Sequence, residues 1–271
     1  MATAFKTSVS VTTELGRINQ LAATLGVNSF PAYRQATLNY KYDVLNSYSP
    51  QEIPRIRYFG IGIGGFANVS TEKNIAQPYI PSPENMDLYT PIPFRCVPEP
   101  LDQDEAAKYR IIQKKQIGDT WYFLYWLKLL KFDDIAITKV AGDNVGTGSL
   151  DTANLYPVPT ALASGDVDEN TARISASVTA IREIEGKEAL EAINVMYDGD
   201  LRRARISEFG LYSGVEVPQQ YSAGEDWDYP YTEAGYVQLA SHMCCIGYDK
   251  SNSNTTIKER CVISTGELVQ L

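Results

Sequence analysis

Two stretches of the sequence carry apolar residues at helical spacing. The first runs from Glu14 to Leu25, after Thr13 as a candidate N-cap and before Gly26 as a stop signal. Its predicted apolar face consists of Leu15, Ile18, Ala22 and Leu25. The second lies within 185–199, where Glu residues stand near the start and Asp198-Gly199 ends the pattern. We therefore predict two amphipathic helices.

Most of the remaining pattern is typical of strands with one buried face. Alternation of apolar and polar residues or β-branched enrichment predicts strands within 32–44, 55–64, 172–181, 204–214, 236–248 and 256–264. The segments 108–117 and 120–130 flank Gly118-Asp119 and predict a hairpin, although 121–130 also fits a helix. The balance predicts a mainly β fold with a few helices, an antiparallel β-sandwich core in one domain spanning 1–271.

Two insertions interrupt this pattern. Seven of the fourteen prolines fall within 78–100, and each removes a backbone donor, so we expect an extended proline-rich arm without regular structure. Such a stiff arm is suited to lie across a neighbouring molecule instead of joining a core. Residues 141–170 are rich in Gly, Asp, Asn, Ser and Pro, and they predict a long exposed loop.

Composition narrows the possible functions. Hydrophobic residues make up 44% of the chain and charged residues 21%, which is typical of a folded globular protein. A net charge of −9 opposes binding to nucleic acid. The longest apolar run is too short for a membrane span, and no signal peptide is visible at the N-terminus, so we expect synthesis in a cytoplasm. The single histidine removes the usual general base from most acid–base chemistries, and we expect no enzyme activity and no cofactor.

A glycine-rich segment formally matches a dinucleotide-binding fingerprint. Residues 60–65 read G-x-G-x-G-G and follow a predicted strand, but no second βαβ strand with its acidic residue comes after them. The alternatives are a nucleotide site and a glycine-rich strand or turn, and the sequence context favours the second. The glycine-containing loop 142–149 lacks the lysine of a phosphate-binding loop.

Metal-binding residue types occur, but not at standard spacings. His242, Cys244, Cys245 and Cys261 include enough donors for zinc or for a Cys–His pair. On a strand, His242 and Cys244 would face one side and Cys245 the other, and buried reduced thiols are the interpretation that we favour. Asp166-x-Asp168-x-Asn170 resembles the start of a calcium loop but lacks its glycine and its final glutamate. We therefore expect no metal.

The stretch 221–231 combines aromatic and acidic side chains. Trp227, Tyr229 and Tyr231 alternate with acidic residues that include Glu225. Aromatic faces stack on sugars while carboxylates bind hydroxyls, so this stretch is a candidate for glycan or partner contact. A carboxylate-based hydrolase is a further alternative, which requires a defined separation of two carboxylates across a cleft.

Two strand motifs resemble segments of virion proteins from tailed bacteriophages. The first, within 57–65, reads RYFGIGIGG, with aromatic or apolar residues alternating with glycine. The second lies within 204–214 and follows the pattern I-x-E-[IF]-G-L-[FY]. Its residues are Ile206, Glu208, Phe209, Gly210, Leu211 and Tyr212. Many tail, baseplate, neck and fibre-base proteins carry this pair of strands in this order.

The resemblance implies a virion structural protein of the tail, baseplate or neck/collar. Such a protein is made in the host cytoplasm, self-assembles as a homo-oligomer around the particle axis, and docks other virion proteins. The alternative is a receptor- or carbohydrate-binding module at the tail tip, with function at 221–231. From the residues alone, the second motif reads as a structural strand, in which Gly210 admits a close backbone or ring. Glu208 would then pair with Arg202, Arg203 or Arg205.

Overall fold

The protein is mainly β, as the sequence predicts. The computed structural model describes residues 8–25, 37–44, 53–70, 75–141, 144–148, 171–219 and 229–270. Large antiparallel sheets dominate these residues, consistent with the predicted β-sandwich class. Among the described residues, no helix is long and apolar enough to cross a membrane.

The strands and helices of the described residues have the following bounds. The strands are β1 Ser8–Thr12, β2 Arg55–Gly62, β3 Phe66–Ser70, β4 Ile75–Pro78, β5 Pro91–Ile92, β6 Arg95–Val97, β7 Tyr109–Ile117, β8 Thr120–Leu129, β9 Lys131–Phe132, β10 Ala136–Ala141, β11 Asn144–Gly148, β12 Thr171–Ile184, β13 Arg205–Gln219, β14 Tyr231–Asp249 and β15 Ile257–Gln270. The helices are α1 Glu14–Leu25, α2 Leu38–Lys41, α3 Gln103–Ala106 and α4 Leu190–Met196, with a 3-10 helix at Leu201–Arg203.

The chain divides into two compact units. The first comprises 1–130 and 183–257, and the second comprises 131–182 and 258–271. The first contains the eight-stranded sheet, in the order β1-β14-β13-β2-β8-β6, with β5 paired to β2 and β7 paired to β8. That the chain 1–271 forms a single domain remains a prediction.

The second unit is built on a smaller sheet. Its strand order is β11-β10-β12-β15, with β9 paired to β12. Strands β10 and β11 form an antiparallel hairpin in which Ala141 is opposite Asn144. The start of the predicted loop 141–170 is therefore a hairpin, and residues 149–170 lie outside the described part, as does the candidate calcium loop.

The core of the first unit lies on the faces of β2, β7, β8, β13 and β14. The aromatic-rich run 120–129 forms a strand instead of the alternative helix, and it pairs with β7 across the turn at Gly118. Residues 123–128 are all buried, and Trp126 stacks on Tyr42 with ring centroids 4.3 Å apart. Burial of these large side chains contributes to the hydrophobic stabilisation of the unit.

The proline-rich segment differs from the predicted arm. It does contain regular structure, because β5 pairs with β2 and β6 pairs with β8. Ile92, Phe94 and Cys96 are all at most 2% exposed and belong to the core of their own chain. Proline is tolerated here because Pro91 is the first residue of β5, and β6 contains no proline. The expectation that the segment stays apart from the core is therefore wrong.

The predicted strand within 32–44 is also wrong where the structure describes it. Residues 38–41 form the short helix α2, which is capped by the Thr37 side chain at the Tyr40 N–H. The Asn39 side chain donates to the Ala234 carbonyl and accepts from the Val237 N–H at 2.7 and 2.8 Å. These contacts to β14 override the alternating pattern, which is a weak local preference.

Helix α1 has the predicted bounds but buries only part of the predicted face. Thr13 caps it as predicted, since its hydroxyl accepts from the Gly16 N–H at 3.0 Å. The buried side is formed by Gly16, Asn19 and Ala22, while Ile18 is 37% exposed. A Cβ on Gly16 would lie 2.1 Å from the carbonyl oxygen of Ala240 in β14. Close packing against the sheet therefore selects small residues over the apolar stripe.

We expect Gly16→Ala to destabilise the protein by about 2 kcal/mol or more, because the added methyl group collides with β14 backbone that cannot rotate away. The free energy of unfolding in denaturant measures this loss. Gln20→Ala, on the exposed side of the same helix, is the matched control and should change stability by less than about 0.5 kcal/mol. Equal stability of Gly16→Ala and wild type would contradict the packing described for α1.

Candidate functional site

A single buried carboxylate connects three separate parts of the first unit. Glu208, in β13, is 0% exposed. Its two oxygens accept backbone N–H groups from Gly64 at 2.8 Å, Tyr89 at 2.7 Å and Thr90 at 2.9 Å. A fourth hydrogen bond joins it to His242 Nε2 at 3.0 Å. This set of contacts is large enough to solvate an ionised carboxylate inside the protein.

The glycines of the first motif make this arrangement possible. Strand β2 pairs with β13 so that Gly62 lies opposite Glu208 and Gly60 opposite Gly210. A Cβ on Gly62 would lie 2.6 Å from Glu208 Oε2, and one on Gly65 would lie 2.0 Å from the Ser207 carbonyl oxygen. The G-x-G-x-G-G segment is therefore a strand end packed against its own chain, as the sequence context favours over a nucleotide site.

Electrostatics favour the ionised form of Glu208. Burial acts to raise the pKa of this carboxyl, but the hydrogen bonds from His242, Thr90, Tyr89 and Gly64 outweigh burial. The pKa of Glu208 consequently lies below its ordinary value of 4.5. The charge is stable at neutral pH although no arginine or lysine contacts it among the hydrogen bonds and ion pairs of the described residues.

His242 extends this network to a second segment. Its Nδ1 lies 3.0 Å from the amide nitrogen of Asn85, and its ring packs against Tyr89 with centroids 4.9 Å apart. An ionised Glu208 assigns the proton to Nε2, so that Nδ1 accepts from Asn85. The only histidine of the chain is thus fully buried and bonded at both nitrogens.

The same residues include a possible metal-ligand set. Donor atoms of Glu208, His242 and Cys244 lie within 4.8 Å of one another. Both oxygens of Glu208 and both ring nitrogens of His242 already make hydrogen bonds, so an ion would have to displace backbone N–H groups that would then be buried without a partner. The donor set fits a hydrogen-bond network better than a metal centre.

The cysteine is also poorly suited to nucleophilic chemistry. Cys244 Sγ lies 3.5 Å from His242 Nε2, and both side chains are 0% exposed. Burial, followed by the charge of Glu208, raises the pKa of the Cys244 thiol to about 12, so it stays protonated at neutral pH. Cys245, which is predicted to face the opposite side, has its Sγ 3.4 Å from the Ser207 carbonyl oxygen. Cys261 belongs to the second unit.

A segment that we call the strap, residues 79–92, covers Glu208 and His242. It is held at a further point by Asp87, which accepts from the Tyr212 hydroxyl at 2.9 Å and pairs with Lys41. Burial and the neighbouring Asp87 carboxylate raise the pKa of Tyr212 well above its ordinary value. The strap carbonyl of Thr90 also accepts from the Ile63 N–H at 3.0 Å. Three polar side chains of the core therefore fix the path of the strap.

The second motif forms the centre of the sheet. Its six residues, Ile206, Glu208, Phe209, Gly210, Leu211 and Tyr212, are all buried. The expected close approach at Gly210 is confirmed, since a Cβ there would lie 2.5 Å from the Tyr212 ring. The expected pairing of Glu208 with a nearby arginine is wrong. The arginines have other partners: Arg202 and Arg203 pair with Asp200, and Arg205 lies over the Phe66 ring.

The aromatic candidates in 221–231 are only partly described. Trp227 lies outside the described residues. Tyr229 is 9% exposed, and its hydroxyl donates to the Leu101 carbonyl at 2.7 Å, which leaves little of the ring for a ligand. Tyr231 is half-buried, and its hydroxyl lies 3.4 Å from Glu233. Neither tyrosine hydroxyl is among the hydrogen-bond partners of Glu208 in the described part of the chain.

Two features of the first unit carry no strong sequence signal. One is a cavity of about 500 Å³, lined by Arg95, Leu101, Asp102, Glu105, Lys108, Tyr109 and residues 185–188. The other is Glu233, which is 3% exposed and has one oxygen with no hydrogen-bond partner among the described residues. Burial, opposed weakly by the Tyr231 hydroxyl, raises the pKa of Glu233 to about 7. Neither feature can be read from residue types along the chain.

Replacing Glu208 by Gln should destabilise the protein by about 3 kcal/mol at pH 7, because an amide offers one acceptor where the carboxylate offers two and points an N–H at other donors. Because the pKa of Glu208 is lowered in the folded protein, the extra stability of the wild type over Glu208→Gln is complete above about pH 5. It is lost as the pH falls through the folded-state pKa. Denaturant unfolding from pH 3 to pH 7 measures both effects. Exposed Glu84→Gln is the control, and a pH-independent difference between Glu208→Gln and wild type would contradict this account.

Glu233→Gln should have the opposite pH dependence. The pKa of Glu233 is raised to about 7 in the folded protein. The protonated carboxyl therefore contributes fully to the free energy of unfolding below about pH 4.5, and this contribution is lost as the pH rises through 7. The Gln variant should therefore become more stable relative to wild type by up to about 3 kcal/mol between pH 4.5 and pH 8. Unfolding free energies of the two proteins across this range provide the measurement, and a constant difference would reject the assignment.

Comparison with known proteins places the chain in a family. No curated protein and no solved structure matches it. One family model does match, over residues 1–267, which is nearly the whole chain. That match spans both units and both strand motifs. The chain therefore belongs to the Family of unknown function (DUF7208).

Proposed function

We propose that this protein is a structural component of a tailed-phage virion, in the tail, baseplate or neck/collar. The observation that supports this function best is the direct pairing of the two motif strands, β2 and β13, around Glu208. The residues that resemble phage virion proteins thus meet in one buried unit that fixes the sheet and the strap. Their role in this chain is to build a rigid body, which is what a repeated particle component requires.

The outer side of the strap is suited to docking. Four large apolar side chains are exposed there: Tyr79 at 46%, Ile80 at 78%, Met86 at 55% and Tyr89 at 46%. Tyr79 and Tyr89 stack edge to face with centroids 5.9 Å apart, which orders two of them in advance. Exposed aromatic residues and methionine on a fixed backbone are typical of protein–protein contact surfaces. This surface supports docking to neighbouring virion proteins.

The alternative of a receptor- or carbohydrate-binding module draws less support from the described residues. It depends on Trp227, Tyr229 and Tyr231, and the Tyr229 ring is buried against its own chain. An accessible aromatic face is what a sugar needs for stacking. We therefore propose assembly, in multiple copies around the particle axis, as the function.

The proposal predicts that the protein co-purifies with intact particles from a lysate of cells that carry its gene. Mass spectrometry of density-purified particles should find it in multiple copies per particle. The double variant Ile80→Ser/Met86→Ser should fold normally, since both side chains are exposed, but should be incorporated at least about tenfold less.

Leu21→Ser, which changes an exposed apolar residue on α1, is the matched control and should be incorporated like wild type. Absence of the wild-type protein from intact particles would contradict the proposed function. Normal incorporation of the strap variant would reject the strap as its docking surface.

A further inference from the structure

The β7–β8 hairpin projects beyond the core at its tip. Burial along β7 falls from Tyr109, which is 2% exposed, to the exposed residues 114–116. Opposite them in β8, Trp121 is 52% exposed although it is one of only three tryptophans in the chain. Lys114 Nζ lies 5.6 Å from the centroid of the Trp121 ring, and Lys115 is exposed beside it. The tip therefore presents an ordered indole and two lysines, with the exposed Asp119 in the turn.

The base of the same hairpin borders the cavity of about 500 Å³. Tyr109 forms part of its wall, together with Arg95, whose side chain is 13% exposed. Arg95 is held by Glu191 at 2.7 Å and by Glu105 at 3.2 Å, so its charge is already compensated. Four carboxylates and three cations line the cavity in total. Asp102 and Glu185 are exposed, and Glu185 also pairs with Lys128 at 3.5 Å.

The tip and the cavity cannot meet within one molecule. Tyr109 and Gln116, which pairs with Trp121, are seven residues apart along β7, or about 24 Å at ~3.4 Å per residue. A regular hydrogen-bonded hairpin cannot fold back over this distance. Head-to-tail contact between identical chains requires two different surfaces on each chain, and the two ends of this hairpin provide them. Such contacts either close into rings or continue as filaments.

We propose that the hairpin tip of one copy, centred on Lys115 and Trp121, docks into the cavity of a second copy at Asp102 and Glu185. This interface rests on the proposed function and specifies how the copies contact one another. Tryptophan buries a large area at little entropic cost, and its N–H can donate to a carboxylate of the cavity. The Lys115 ammonium gains Asp102 and Glu185 as partners, in a cavity where four carboxylates face the three cations Arg95, Lys108 and Lys187.

The oligomeric state of the full chain tests this contact. Sedimentation velocity of the wild type across a concentration series should show assemblies larger than a dimer. The tip variant Lys115→Ser/Trp121→Ser and the cavity variant Glu185→Lys should each raise the apparent dissociation constant by about 30-fold or more. Arg17→Glu and Leu21→Ser, both at exposed positions of α1, are controls that should assemble like wild type.

A mixture of the two weakened variants gives the sharpest result. The cavity variant still has an intact tip, and the tip variant still has an intact cavity. One intact tip–cavity contact can therefore form between the two variants. An equimolar mixture should form a one-to-one complex and nothing larger, although neither variant associates strongly alone. Circular dichroism of each variant confirms folding, a check that Glu185→Lys requires because Glu185 pairs with Lys128 in the wild type.

The outcomes separate this contact from the function on which it rests. Tip and cavity variants that assemble like wild type would overturn the head-to-tail contact while the virion function stands, provided that the protein is present in particles. A wild type that remains monomeric at all concentrations would overturn it as well. Absence from particles combined with the predicted one-to-one complex would reject the virion function and leave the contact in place.

Discussion

The structure of the first unit depends on the burial of one negative charge. An ionised carboxylate without partners is very costly inside a protein, and Glu208 avoids that cost by accepting four hydrogen bonds. Three of the donors are backbone N–H groups, which belong to the end of β2 and to the strap. Each of these segments must be in place for the charge to be tolerated, so Glu208 couples their folding to that of the central sheet.

This coupling explains how a proline-rich segment becomes part of a core. Proline cannot donate to a sheet, and the strap has little regular structure of its own. Its backbone is instead fixed by side chains of the sheet, namely Glu208, His242 and Tyr212. Because these hydrogen bonds hold the inner side of the strap, its outer residues are ordered although they remain exposed. Ordered apolar residues bind a partner at lower entropic cost, which is why we connect this network with assembly.

Elements with local signals could be predicted from sequence. Helix α1 and the β7–β8 hairpin have the expected bounds because capping, turn residues and periodicity act between neighbouring residues. The buried face of α1 was predicted only in part: Ala22 is buried as expected, but the close approach of Ala240 in β14 favours Gly16 over a large apolar residue. The helix α2 was missed because Asn39 bonds to a strand almost 200 residues away.

The partners of Glu208 were inaccessible to sequence reasoning for a related physical reason. Backbone N–H groups are present at almost every residue, so no side-chain pattern marks Gly64, Tyr89 or Thr90 as donors. Charge matching by residue type favoured the nearby arginines instead. The glycine spacing in 60–65 was the available signal, because glycines beside a buried side chain indicate close approach of another segment.

Amide hydrogen exchange of the wild-type protein tests the central role of Glu208 most directly. The amides of Gly64, Tyr89 and Thr90 should exchange with the same free energy of opening as the β13–β14 strand pair, because freeing any of them exposes a buried charge. Exchange of the strap amides by local opening at a much lower free energy, while β13 and β14 stay protected, would contradict the account.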